Sequence, residues 1–141
     1  MKQFRIRILL LVLALSMLAY CFGCTSNLEQ VDASTLDGEN ISIGQAICVC
    51  FHTQGSDSVK TPFILTPLDG AIRIKYVEGL SSTLEARLYD ATYDEPIMQG
   101  AIEKIGSTIT FTNLLSSHTY SVEILSPDSD LGDTLTLQFS K

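Results

Sequence analysis

Five stretches between Ile72 and Phe139 alternate apolar and polar residues. Ile72, Ile74 and Tyr76 are separated by Arg73 and Lys75, and Leu84, Ala86 and Leu88 by Glu85 and Arg87. Ile109 and Phe111 stand among Thr108, Thr110 and Thr112. Tyr120, Val122 and Ile124 enclose Ser121 and Glu123, while Leu135, Leu137 and Phe139 enclose Thr136 and Gln138. Successive side chains of an extended chain point to opposite faces, so a period of two gives one apolar face and one wet face. Turn residues separate these stretches: Pro67-Leu68-Asp69-Gly70, Glu78-Gly79, Tyr93-Asp94-Glu95-Pro96, Ile105-Gly106-Ser107 and Ser126-Pro127-Asp128. Short half-buried strands at regular spacing, with no competing helical period, predict an all-β chain. The expected architecture over residues 41–141 is a single antiparallel β-sandwich, jelly-roll or Ig/fibronectin-like.

The first 23 residues obey a different rule. MKQFRIR carries Lys2, Arg5 and Arg7 with no acid, and Ile8 to Tyr20 follow without a charge. A basic start and an apolar run shorter than the ~20 residues of a spanning helix read as a cleaved secretory signal peptide. The stretch that ends it, LAYCFGCTSN, resembles the lipobox of bacterial lipoproteins, in which a cysteine receives lipid and becomes the new N-terminus. Cys21 follows bulky Tyr20, whereas Cys24 follows Gly23 and precedes polar Thr25, Ser26 and Asn27. The resemblance therefore implies lipidation at Cys24, with Cys21 as the competitor. Two or more acyl chains hold a protein firmly at a bilayer, where one does not. The expected location is a bacterial cell membrane or outer membrane, with the domain outside the cytoplasm. Residues 25–40, TSNLEQVDASTLDGEN, are polar and lack a period, so residues 24–40 are expected to form a flexible tether.

The whole chain has a formal charge of −7. Without residues 1–23, six basic residues face sixteen acidic ones, a charge of −10. Phosphate backbones are bound by Lys and Arg, so nucleic acid is not an expected partner.

Within the sandwich, PFILTPLDGAIRIKY, LEARLYDA, ITFTNLLSSHTYSVEI and TLTLQF are similar to the strand pattern of the bacterial pre-peptidase C-terminal domain. That resemblance spans about residues 41–141. The acidic pair that this family often carries is reduced to Asp57, which weakens any calcium site there. A second resemblance is to fibronectin type III domains: Leu114 lies six residues before Tyr120, similar to a tyrosine corner. The chain has no Trp, and Ser116-Ser117-His118 departs from that family's corner. Both resemblances imply a binding or spacing module and not a catalyst.

Groups that carry chemistry are few. The two histidines are His52 and His118, and neither lies in a metal, phosphate-loop or hydrolase motif, so no cofactor is expected. His118 reads as a solvated loop residue. In AICVCFH, Cys48, Cys50 and His52 share one side of a strand. Side chains two apart on a strand sit about 6–7 Å apart and run parallel, which disfavours a nucleophile–base pair. The thiols are then covered small hydrophobes, a disulfide, or a metal or redox site. The acids Asp128, Asp130 and Asp133 form a weak calcium candidate in PDSDLGD, a segment that also reads as an ordinary turn. Tyr89 and Tyr93 are candidate binding residues for a protein or carbohydrate ligand, Tyr89 lying on the face opposite Leu84, Ala86 and Leu88. The expected function is a lipid-anchored, non-catalytic binding module of the envelope or cell surface. A structural accessory or inhibitor subunit is the alternative, and a small enzyme a more distant one.

Overall fold

The structure is a computed structural model that describes residues 28–141; the signal segment 1–23 and Cys24 lie outside the described residues. Two β-sheets pack face to face. One holds β1 (Gln30–Asp32), β3 (Ile47–His52), β11 (Thr134–Ser140), β6 (Ile72–Glu78) and β9 (Thr108–Phe111), in that order. The other holds β2 (Asn40–Ile43), β5 (Ile64–Pro67), β10 (Tyr120–Leu125), β7 (Leu84–Asp90) and β8 (Met98–Ile102), and β4 (Ser58–Lys60) also pairs with β10. The expected β-sandwich is therefore present, and all five alternating stretches are strands. Their inward residues, from Ile72 and Ile74 through Leu88 and Val122 to Phe139, are buried, except that Ile109 is half-buried against the core. Phe51, Phe63 and Phe139 close one part of the core, with ring centroids 5.7–6.4 Å apart.

Two features differ from the expectation. Most pairings are antiparallel, but β1 pairs with β3 and β2 with β5 in parallel. Moreover, the described part of the expected tether, residues 28–40, is not a free leash. Gln30, Val31 and Asp32 stand opposite Cys48, Val49 and Cys50, a 3₁₀ turn (Ala33–Leu36) follows, and Asn40 opens β2. Ala33 and Ile43 are buried, and Leu36 and Ile41 pack on the core. Edge strands need only a few apolar residues and a partner's free backbone groups. A polar segment of this kind therefore pairs even without a period of its own. AICVCFH accordingly contains the third strand of the chain.

The pairings define two ends. Loops 44–46, 68–71, 91–97 and 112–119 lie at the upper end, where β3 begins. Loops 53–57, 79–83, 103–107 and 126–133 lie at the lower end. Because β1 runs parallel to β3, the chain enters the fold from the upper end. At the lower end Gly79 is required by space: a Cβ there would stand 2.6 Å from the hydroxyl of buried Tyr76, which donates to the Ser81 carbonyl at 2.8 Å.

Candidate functional site

A cleft of about 340 Å³ opens on the side of the sandwich where β1 of one sheet approaches β4 of the other. Ala33, Phe51, Val59 and Pro62 give it apolar walls, and Asp32, His52, Asp37 and Lys60 give it a charged rim. Asp32 organises that rim. It ends β1 in an extended conformation and caps the 3₁₀ turn, its Oδ1 accepting from the Ser34 amide at 2.9 Å and the Ser34 hydroxyl at 2.8 Å. Its Oδ2 accepts from His52 Nε2 at 2.6 Å. An ionised carboxylate only accepts, so that ring nitrogen carries the proton. The amide of Ser34, then its hydroxyl, then His52 hold the Asp32 carboxyl below its ordinary pKa. The sequence carried a signal for this corner, since Asp-Ala-Ser-Thr is a capping vocabulary, but nothing in it pointed to His52 as the partner.

A second pair lies at the upper end. His118 Nδ1 donates to Asp90 Oδ2 at 2.6 Å, and Asp90 Oδ1 accepts from the amide and hydroxyl of Thr92 at 3.0 and 2.7 Å. Asp90 is buried, and the bond from His118, then those from Thr92, lower its pKa. The reading of His118 as a solvated loop residue is thus corrected: it ties the loop after β9 to the end of β7 and stacks on Tyr120, centroids 6.5 Å apart. Tyr120 itself is buried, and its hydroxyl accepts the Leu115 amide at 3.0 Å. This is the upstream backbone bond that the tyrosine-corner resemblance implied.

The remaining sequence candidates are scattered. Tyr89 lies on the outer face of its sheet, its hydroxyl donating to Glu123 Oε2 at 2.7 Å while Lys60 Nζ sits 4.2 Å from its ring centroid. One ring face is therefore already occupied, and through Lys60 the tyrosine borders the cleft. Tyr93 is exposed in the loop 91–97 at the upper end, away from the cleft. Cys48 and Cys50 are free thiols on the outer face of β3, while Val49 and Phe51 face the core. Burial, and then the neighbouring Cys50, raise the Cys48 pKa, which keeps it a thiol and a poor nucleophile.

Asp128, Asp130 and Asp133 are not gathered round a common point. Among the described residues no group of three or more His, Cys, Asp or Glu side chains is placed to hold a metal. Asp130 instead accepts from the Gly132 amide at 2.8 Å, and Asp133 lines a second, lower-end cleft of about 300 Å³ with Glu78, Gly79 and Leu80. The acidic loop is pinned by buried Leu131 and by backbone bonds to residues 53–57: Thr53 to Asp133, Gly55 to Gly132, and Leu131 to Ser56, at 2.8–2.9 Å. Among the described residues no helix is long and apolar enough to cross a membrane.

No protein-family model matches the chain, and no curated protein sequence matches it. Solved structures share its architecture. A periplasmic inhibitor of g-type lysozyme from Aeromonas hydrophila aligns over 78% of this chain and 98% of its own, at 12% identity and a TM-score of 0.47. The Yersinia pseudotuberculosis-derived mitogen aligns over 67% and 82%, at 10% identity and 0.44. The pre-peptidase C-terminal domain of a Bacillus anthracis collagenase aligns over 74% and 93%, at 11% identity and 0.35. The domain type suggested by LEARLYDA and its neighbouring strands is thus among the structural neighbours. At this depth the likeness is one of sandwich architecture, and it carries no function across.

Proposed function

We propose that the chain is a non-catalytic, extracytoplasmic binding module, lipid-anchored through Cys24, that takes an extended segment of a protein partner in the cleft beside β4. The cleft itself carries this reading. Apolar walls with a few fixed polar groups at the rim are what peptide and small-ligand sites require. Val59 and Lys60 of β4 line it, and among the described residues β4 is paired on one side only. A partner strand added to that edge would bond through its backbone and place alternate side chains against Phe51 and Pro62. Lys60 and the Asp32–His52 pair would select its charge.

The non-catalytic part of the reading is supported by how the polar groups are spent. The Ser34 hydroxyl donates to Asp32 and not to His52, and among the described residues no Ser, Thr or Cys side chain is hydrogen-bonded to either imidazole. A base with no side-chain nucleophile in reach lacks the arrangement that covalent catalysis needs.

Two measurements test the proposal. Mass spectrometry of the purified N-terminus is expected to find lipid on Cys24; lipid on Cys21 moves the anchor, and an intact Met1 removes it. A photo-crosslinking residue at Val59 is expected to trap one stoichiometric partner, and a Lys60→Glu change in the same protein to abolish the trapping. Equal trapping from Leu80, at the lower end, would discard the cleft as the site.

A further inference from the structure

We infer that the upper end of the sandwich lies against the lipid bilayer, seated there by Leu68, Tyr93, Ile97 and Leu115. The inference rests on the Cys24 anchor and adds an orientation to it.

The first support is the length and direction of the leash. With a tether running to residue 40, an anchored domain would wander tens of ångströms from the membrane. Pairing of β1 leaves five residues between Cys24 and Gln30, six Cα–Cα steps with a reach of about 20 Å. Gln30 stands level with Cys48, near the start of β3, so the chain leaves the fold at the upper end. An anchor on so short a leash holds that end next to the lipid.

The second support is what that end displays. Leu68 is 55% exposed, Leu115 55%, Tyr93 63% and Ile97 44%, one or two from each of three neighbouring loops. These loops form one rim. Leu114 donates its amide to the Gly70 carbonyl at 3.0 Å, and Ala91 donates to the Thr119 carbonyl at 2.9 Å. Gly70, at φ +77°, lets the turn 68–71 approach the Leu114 carbonyl, which a Cβ would meet at 3.2 Å. Leucine, isoleucine and tyrosine presented together suit the boundary between headgroups and acyl chains, where an aromatic ring has one apolar side and one wet edge.

Charge separates the two ends only in degree, since both are acidic. The lower end carries Asp57, Glu78, Glu103, Asp128, Asp130 and Asp133 against Lys104 alone. Leu80 and Ile105 are exposed there too, but they stand among those acids. An anionic bilayer repels that end more strongly than the upper one. The upper loops hold Asp69, Asp94 and Glu95, with Lys141 at the chain end. Seating is therefore apolar and not electrostatic, and it should change little with salt.

The chain contains no Trp, so a single introduced Trp is a clean reporter. Full-length processed protein carrying Leu115→Trp or Leu68→Trp, reconstituted into phosphatidylethanolamine–phosphatidylglycerol vesicles, is expected to show blue-shifted emission. Brominated lipid is expected to quench that emission. Leu80→Trp and Ile105→Trp in the same vesicles are expected to show neither effect. Quenching of all four alike, or of none, overturns the orientation. A blue shift at Leu115→Trp without lipid quenching also overturns it and assigns the upper end to a protein contact or a second copy. The N-terminal mass of each sample separates the two readings: acylated Cys24 without the upper–lower contrast defeats the orientation alone, whereas unacylated protein that leaves the vesicles unbound defeats both.

Discussion

The molecule contains two His–Asp pairs of the same length, 2.6 Å, in unlike settings. His52 and Asp32 have side chains 56% and 39% exposed; Asp32 ends the edge strand β1 and His52 ends its neighbour β3, both beside a cleft. His118 is 39% exposed, but its partner Asp90 is only 7% exposed and closes a junction between loops. Equal geometry does not mean equal weight. A buried carboxylate depends on each of its donors, because water cannot replace a lost one, whereas an exposed pair is solvated whether or not it forms. The first pair is therefore available for recognition, and the second belongs to the architecture.

Breaking the buried pair should cost most. Asp90→Ala strands the bonds of Thr92 and frees His118, and is expected to lower unfolding stability by about 2–3 kcal/mol in urea titration. A loss as small as that of Asp32→Ala would erase the contrast. Tyr120→Phe, which leaves the Leu115 amide without its buried acceptor, is expected to cost about 1–2 kcal/mol in the same assay. Asp32→Ala removes only an exposed turn cap and is expected to cost less than Tyr120→Phe in that assay, with a larger effect on partner trapping at Val59 than on stability.

Acid sharpens the comparison further. Both carboxyls have native pKa values below the ordinary 3.8. On acidification the unfolded chain takes up their protons first, so their contribution is complete above about pH 4–5 and is lost as pH falls through the native values. Asp90→Asn and Asp32→Asn should each flatten the acid limb of a stability–pH curve. Added salt should abolish the difference for Asp32→Asn before that for Asp90→Asn, since the exposed charge is the better screened. The smallest effect belongs to His52→Gln, expected to stay within about 0.5 kcal/mol of the parent.

How much of this was legible beforehand differs from residue to residue. Ile72 to Tyr76 and Tyr120 to Ile124 declared both their strand and their buried face, because alternation is a local property of the chain. Tyr120 also announced its hydroxyl bond, whose partner lies five residues away. Asp90, 28 residues from His118, and Asp32, 20 residues from His52, announced nothing of the kind. Their partners are chosen by which strands become neighbours. Residues 30–36 misled for the same reason, since an edge strand draws its stability from the strand it joins and not from its own pattern. The acidic loop 126–133, readable as an ordinary turn or a weak calcium candidate, is held by Leu131 and by the backbone of residues 53–57.

The sequence by itself determined an all-β chain, its five principal strands and which side chains of each face inward. Periodicity, turn chemistry and hydropathy act over a few residues, and a linear reading captures them. Tertiary structure alone decided that β1 and β2 join the sheets in parallel and that Asp32 meets His52 and Asp90 meets His118. It also decided that a cleft opens beside β4 and that the chain enters at the end bearing Leu68 and Leu115. Each of these depends on contacts between segments far apart in sequence, which only the packing of one sheet on the other selects.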